Sequence, residues 1–253
     1  IALGKGDTKE ASLVMGNAFS LLLTAGTILM TLGLLFHRPI LYLFGASAST
    51  YPYASQYITI YLLGTLSAMT ALGMIPYINS QGFARIGMMT VIFGAFTNII
   101  LDPVFIFVFN MGVRGAAVAT VISQTLSAIW VLRFLTGRQI TLRLTLSTMR
   151  LSRSRVINIT ALGLSSFMVS FTNSLVQVVC NKTLLQFGGD LYISIMTILN
   201  SVREIAQTPI IGLTNGSSPV LSFNYGRKNY PAVKKESGSP LRSAYSIPFL
   251  SGA

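Results

Sequence analysis

The sequence contains few of the side chains that build most catalytic and metal sites. Its 253 residues include one cysteine, one histidine and six acidic residues. A single cysteine excludes an internal disulfide and a cysteine metal cluster. No nucleophile with a neighbouring base stands out either, as an enzyme site would require. We therefore expect no catalytic residues, no bound metal and no cofactor.

Charge is also scarce, because Asp, Glu, Lys and Arg make up only 9% of the chain, whereas soluble domains carry about 25%. Apolar residues make up 52%, and the mean hydropathy is +0.66. These values predict an integral membrane protein. The net charge of +12 alone would fit a nucleic-acid partner. However, the basic residues concentrate in short loops between apolar runs and are not interleaved with aromatic residues, so a lipid bilayer is expected and nucleic acid is not.

Six apolar runs are each long enough to span about 30 Å of hydrocarbon. They cover roughly residues 12–36, 53–77, 86–109, 113–135, 156–180 and 190–216. Backbone polar groups in lipid must be satisfied internally, so the predicted fold is an all-α, polytopic membrane protein. Pro76 and Pro209 fall inside two of these runs and predict helix breaks there.

The basic residues predict the orientation of these spans. If the first loop is cytoplasmic, the inside segments hold fourteen Lys and Arg residues and the outside loops hold three. The inside set is Lys5, Lys9, Arg85, Arg133, Arg138, Arg143, Arg150, Arg153, Arg155, Arg227, Lys228, Lys234, Lys235 and Arg242, and the outside set is Arg38, Arg114 and Lys182. This bias predicts that both ends of the chain are cytoplasmic.

One apolar run carries a carboxylate near its middle, Asp102, followed directly by Pro103. A charge in hydrocarbon is costly, so an ionisable residue in such a segment is a candidate functional site. Asn98 lies four residues earlier, on the same helix face. The alternative is a structural aspartate whose hydrogen bonds hold a helix kinked by proline.

A short turn at residues 110–114 follows, and a second apolar helix begins after it. Folding this hairpin about Met111 predicts Asp102 opposite Thr120 and Asn98 opposite Gln124. The second helix carries small residues at i, i+4 spacing, which allow helices to approach closely. These are Gly115, Ala119, Ser123 and Ser127. The pattern predicts a polar cluster of Asn98, Asp102 and Thr120 inside a tight bundle.

Residues 98–124, NIILDPVFIFVFNMGVRGAAVATVISQ, resemble the fifth and sixth helices of the multidrug and toxic compound extrusion (MATE) family. Four further segments resemble its loops: ALGKGDTKEA at 2–11, GASASTYPYASQY at 45–57, NSQG at 79–82 and PVLSFNYG at 219–226. The resemblance implies helices three to eight of a two-lobed transporter with six helices in each lobe. On this basis we expect the chain to be a fragment.

The resemblance also implies a domain organisation. Residues 1–148 correspond to a partial N-terminal lobe, residues 149–235 to the start of the C-terminal lobe, and residues 236–253 to a divergent or truncated tail. A weak internal repeat fits two related lobes. Residues 3–11 (LGKGDTKEA) match residues 225–233 (YGRKNYPAV) at an offset of 222, through one glycine and a polar, basic character. The matching glycines are Gly4 and Gly226.

The function implied by the resemblance is export of organic cations by a monomeric antiporter in the cell membrane, coupled to protons or sodium ions. Asn98, Asp102 and Thr120 match its cation site in the first lobe. One branch of the family binds the ion with a glutamate of helix seven, and the matching residue here is Asn173, which departs from that branch. A lipid-linked saccharide flippase of the same superfamily and a non-functional remnant remain alternatives.

Further polar residues are expected to line the transport cavity. Gln124 and Asn173 are two of them. Arg203 and Glu204 are two others, because opposite charges inside a membrane must pair or face water. A structural ion pair between the two is the alternative.

Overall fold

The computed structural model describes residues 1–137 and 140–234. Arg138, Lys235, Arg242 and the predicted tail of residues 236–253 lie outside these ranges. The described residues form helices and no strands, which confirms the all-α prediction. The helices are α1 (Thr8–Leu43), α2 (Tyr51–Leu63), α3 (Thr65–Gly73), α4 (Ile75–Asn79), α5 (Ala84–Pro103), a π-helix (Val104–Val108), α6 (Val113–Leu135) and α7 (Arg153–Gly226).

Four of the described helices are long and apolar enough to cross a membrane: α1, α5 with the π-helix, α6 and α7. Helix α2 and the segment of α3 and α4 meet at a bend of 58°, and together they count as a fifth candidate span if they cross the membrane as one unit. The chain is a multi-pass membrane protein. The fifth and sixth predicted runs both lie in α7, which departs from helical geometry at Gly189, where φ is 61° and ψ is −158°.

The two halves of α7 run in opposite directions. A straight helix of its 74 residues would be about 110 Å long. Instead, both ends contact the first ten residues of the chain: Arg155 pairs with Glu10, and Gly226 lies against Gly4. The chain therefore reverses at Gly189, and a φ of 61° is a conformation that glycine adopts without steric cost.

The predicted helix breaks are displaced from the prolines. The second span breaks at Gly64 and again at Met74, and Pro76 lies in the first turn of α4, where its missing N–H costs no hydrogen bond. The predicted break at Pro209 is wrong: the residue in α7 with non-helical φ and ψ is Gly189. Gly64 packs closely against α6: a Cβ at this position would lie 2.7 Å from a methyl carbon of Val121.

Helix α6 lies at the centre of the bundle and packs against α2, α3 and α5. At its C-terminal end a buried apolar core joins α1, α4, α6 and the segment that connects α6 to α7. This core consists of Ala11, Met15, Phe19, Met74, Ile78, Val131, Leu135, Leu142 and Leu144. The connecting segment is therefore part of the packed structure.

Asn17 of α1 holds the end of this connecting segment. Its side chain is fully buried, and its Nδ2 donates to the carbonyl oxygens of Thr148 at 3.2 Å and Arg150 at 3.1 Å. Its Oδ1 accepts from the backbone N–H of Ser152 at 2.7 Å. One amide thus satisfies three backbone groups immediately before α7 begins.

Helix α7 contacts the start of α1 and also the loop that follows α1. At the first end, Arg155 donates to the two carboxylate oxygens of Glu10 at 2.8 and 2.9 Å. At the other end, the Asp190 carboxylate accepts from the hydroxyl groups of Ser47 at 3.0 Å and Ser49 at 2.8 Å. The first half of α7 is therefore attached to the α1 region at both of its ends.

We expect Asn17→Ala to release the connecting segment, because it leaves three backbone groups without a hydrogen-bond partner. Each such group costs about 1–3 kcal/mol when it remains buried away from water. Trypsin should then cut faster at the exposed Arg143 and Arg150 in the purified protein. Ser12→Ala is the matched control, since the Ser12 hydroxyl bonds only within α1. Equal cleavage rates in the two variants would contradict this role for Asn17.

Candidate functional site

The candidate site lies where α5 ends and its helical geometry changes. Pro103 has no N–H to donate to the carbonyl of Ile99, so it ends the regular hydrogen-bond ladder. The next residues form a π-helix in which the N–H of Phe109 donates to the carbonyl of Val104, five residues earlier, at 3.0 Å. Short π-helical turns often occur at functional sites. Asp102 is the last residue before this proline.

The chain then turns back tightly into α6. Asn110 and Gly112 adopt positive φ angles of 52° and 54°. Gly115 lies against the backbone of the π-helix, because a Cβ there would come within 2.7 Å of the carbonyl group of Phe105. The predicted small-residue stripe is buried as expected: Gly115, Ala119, Ser123 and Ser127 all face the packed interior. Close approach of α5 and α6 brings their polar side chains together.

Asn98 bridges the other two residues of the predicted cluster. Its Nδ2 donates to Asp102 Oδ1 at 3.2 Å and lies 3.5 Å from the Thr120 hydroxyl oxygen. That hydroxyl donates to the carbonyl of Ala116 at 2.9 Å. All three side chains are half-buried. The structure therefore brings together Asn98, Asp102 and Thr120.

The pairing within the cluster differs from the one expected from the hairpin. In the described residues no hydrogen bond joins Asp102 to Thr120; the contact across the two helices is made by Asn98. Asn98 was expected opposite Gln124. The π-helix has a wider turn and a shorter rise than an α-helix, so it changes which residues of α5 and α6 lie opposite each other.

A cavity of about 250 Å³ lies next to the cluster, between α3, α5 and α6. Asn98, Thr120 and Gln124 form part of its polar wall, and Leu72 and Ile75 contribute apolar surface. The Gln124 Oε1 atom is buried and has no hydrogen-bond partner. An unpaired buried acceptor is costly, so this oxygen is ready to accept from a donor that enters the cavity.

The sequence interpretation missed part of this wall. Thr90 and Gly94 line the cavity together with Asn98. These three residues and Asp102 follow one another at intervals of four along α5, so they share a helix face. This spacing is visible in the sequence and could have extended the predicted site by two helical turns.

The remaining predicted cavity residues lie apart from this cluster, on α7. Asn173 is exposed and lines a shallow depression with Met168, Val169 and Thr172. Arg203 and Glu204 are both exposed, and the described side chains include no ion pair between them. They do not join Asp102. No cluster of three or more His, Cys, Asp or Glu residues that could hold a metal ion lies within the described ranges.

Comparisons with known proteins agree with this architecture. Residues 1–104 match the MatE family model. The chain is 24% identical over 203 residues to the multidrug export protein MepA of Staphylococcus saprophyticus, covering 80% of this chain and 45% of that protein. With MepA of Staphylococcus aureus (strain bovine RF122 / ET3-1) it shares 24% over 225 residues, covering 88% and 49%. The chain therefore resembles MATE proteins in sequence along most of its length.

Solved MATE structures share the fold. An outward-facing multidrug resistance MATE family transporter of the MOP superfamily matches with a TM-score of 0.87, 23% identity and coverage of 97% of this chain and 55% of that chain. An inward-facing conformation matches with a TM-score of 0.77 at 23% identity, covering 97% and 56%. The chain spans about half the length of the MATE proteins it matches.

We expect Gly115→Val to destabilise the protein, because the added side chain would overlap the backbone of the π-helix. Overpacking of this kind costs about 1–3 kcal/mol. The measurement is the thermal unfolding temperature of the purified protein in detergent. Gly163→Val is the matched control, since a Cβ at Gly163 meets no atom within 4 Å. If both variants unfold at the same temperature, the close approach of α6 to the π-helix is not a constraint on stability.

Proposed function

We propose that this chain works in an exporter of organic cations that is driven by protons or sodium ions through alternating access. The observation that carries the proposal is the carboxylate of Asp102, which lies inside a membrane-spanning helix and accepts a hydrogen bond from Asn98, a residue of the cavity wall. A carboxylate within a membrane span is costly, so such a residue is a candidate functional group. The MepA relatives of similar sequence are multidrug export proteins, which supports the same class of activity here.

In this proposal Asp102 binds the coupling ion. When the carboxylate is ionised, it accepts the hydrogen bond from Asn98. When it takes up a proton, it becomes a donor itself, and the Asn98 amide is free to bond to Thr120 alone. For a sodium ion, the Asp102 carboxylate, the Asn98 amide oxygen and the Thr120 hydroxyl offer the oxygen ligands that hard cations prefer.

The change at Asp102 would reach the rest of the protein through Pro103. The helix lacks its regular hydrogen bonds at this point and continues as a π-helix, so it bends here more easily than elsewhere. An ion shifts a conformational equilibrium only by its different affinity for the two states. The different hydrogen bonding of the charged and neutral carboxylate supplies such a difference.

The substrate would enter the cavity beside the cluster. Its wall combines apolar side chains with the unpaired Gln124 oxygen, which suits an organic cation that carries an N–H donor. Lys and Arg are absent from the described lining of this cavity. A flippase for anionic lipid-linked saccharides would need a strongly cationic cavity, so this feature favours the exporter.

The orientation of the chain follows from its basic residues. Lys5, Arg85, Arg153 and Arg227 lie at the end of the bundle where Gly4 meets Gly226. We assign this end to the cytoplasm of a monomeric transporter in the cell membrane, because positively charged loops are retained there. The boundary between two lobes near residue 148 stays a prediction.

We expect Asp102→Asn to fold and to abolish ion-driven efflux, because the neutral amide cannot exchange a proton or bind sodium with a charge. The assay is ethidium efflux from vesicles that contain the chain and, in parallel, a chimera in which it replaces the matching half of a MepA relative. Thr120→Ala should slow efflux by only about fivefold, since it removes one neutral hydrogen bond worth about 1 kcal/mol.

Asp7→Asn is the control for the same chemical change at the start of α1. Asp7 caps this helix by accepting from the N–H of Glu10 at 2.8 Å, and asparagine caps a helix equally well. This variant should transport at the wild-type rate. Wild-type efflux with unchanged ion dependence in Asp102→Asn would show that another group binds the coupling ion.

A further inference from the structure

The two glycines that the internal repeat relates touch each other in the folded protein. Gly4 and Gly226 are both buried. A Cβ built on Gly4 would lie 3.0 Å from the Cα of Gly226, and a Cβ on Gly226 would lie 3.0 Å from the Cα of Gly4. The contact is therefore reciprocal, as expected for matching positions of two repeats that face each other across an axis.

Neither position has room for a side chain. A Cβ on Gly4 would overlap the carbonyl oxygen of Phe223, and one on Gly226 would overlap the carbonyl oxygen of Ile1. These obstacles are backbone atoms, which cannot turn away as the tip of a flexible side chain can. Backbone-to-backbone packing of this kind requires glycine on both sides.

The glycine contact closes one end of the molecule. Residues 1–6 lie between the end of α7 on one side and α1 and α4 on the other. Beside them a cavity of about 330 Å³ remains, lined by Leu3 and Tyr77 on one wall and by Pro219 and Phe223 on the other. At this end the second half of α7 meets residues 1–4 at the glycine contact and lines this cavity with Pro219 and Phe223.

We propose that the Gly4–Gly226 contact is the latch that holds the cytoplasmic end of the transporter closed. This inference rests on the proposed alternating access, in which one end closes while the other opens. Side-chain volume at either glycine separates the second half of α7 from α1 and α4 at this end. The hydrogen bonds from Ser47 and Ser49 to Asp190 hold the opposite end of this half, so the half swings outward about that end as a rigid body.

The test measures distances between spin labels at both ends of the 253-residue chain in lipid nanodiscs, on a Cys180→Ser background. One pair of labels sits at the latch end, at Arg85→Cys and Val220→Cys. The other pair sits at the opposite end, at Arg114→Cys and Leu191→Cys. All four positions are exposed, so labelling leaves the packed interior intact.

We expect Gly226→Val to lengthen the distance at the latch end and to leave the distance at the opposite end unchanged, because Asp190 holds Leu191 in place there. Gly4→Val should act in the same direction, and Gly226→Ala should produce a smaller shift of the same sign. Gly216→Val is the matched control on the same helix, because a Cβ there meets no atom within 4 Å. It should leave both distances unchanged.

Two results would overturn the latch. In the first, Gly226→Val and Gly226→Ala leave both distances as they are in the control. In the second, the distances at both ends lengthen together, which would mean that the added side chain loosens the whole of α7 and does not open one end. If Gly226→Val fails to fold, Gly226→Ala decides the question: a longer latch-end distance supports the latch, and an unchanged distance contradicts it. These distances do not depend on ion-driven efflux, so a failure of the latch and a failure of the proposed transport are separate outcomes.

Discussion

The cost of placing one carboxylate inside an apolar helix explains much of the structure around it. Asp102 needs hydrogen-bond donors in a region without water, and Asn98 supplies one from the preceding turn. Asn98 in turn lies beside Thr120 of α6, so α6 must approach closely. Gly115 makes that approach possible against the π-helix that follows Pro103. The polar cluster, the helix irregularity and the small-residue face are therefore one arrangement.

The same central helix connects this arrangement to the rest of the molecule. One face of α6 forms the cavity wall with α3 and α5, and its C-terminal end belongs to the apolar core that also holds the connecting segment. Asn17 fixes the end of that segment just before α7. A change in α5 and α6 can therefore act on α7 through packed groups, and the glycine contact is where the second half of α7 returns to the start of the chain.

The sequence predicts those features that depend on composition and local spacing. Apolar runs predicted a helical membrane protein, and the four-residue spacing of Asn98 and Asp102 placed them on one helix face, where they form a hydrogen bond. The predicted pairing of Thr120 with Asp102 was wrong: Asn98 contacts Thr120 instead, because the π-helix alters the register of the hairpin. The reversal at Gly189 falls in the predicted interval between the last two apolar runs. The break at Gly64 was missed, since glycine is common in membrane helices and only tertiary packing shows which glycine bends. The internal repeat identified Gly4 and Gly226 as equivalents, yet their contact depends on how α7 folds back.

The central claim is that Asp102 exchanges the coupling ion. Infrared difference spectroscopy of the purified chain in nanodiscs tests it directly, because a carboxyl group has a distinct C=O stretch when it is protonated. We expect the wild type and Asp7→Asn to show such a band in the ion-exchange difference spectrum, and we expect Asp102→Asn to lack it. Its position should shift in Asn98→Ala, because Asn98 is the hydrogen-bond partner of Asp102. Identical difference spectra for the wild type and Asp102→Asn would contradict the account.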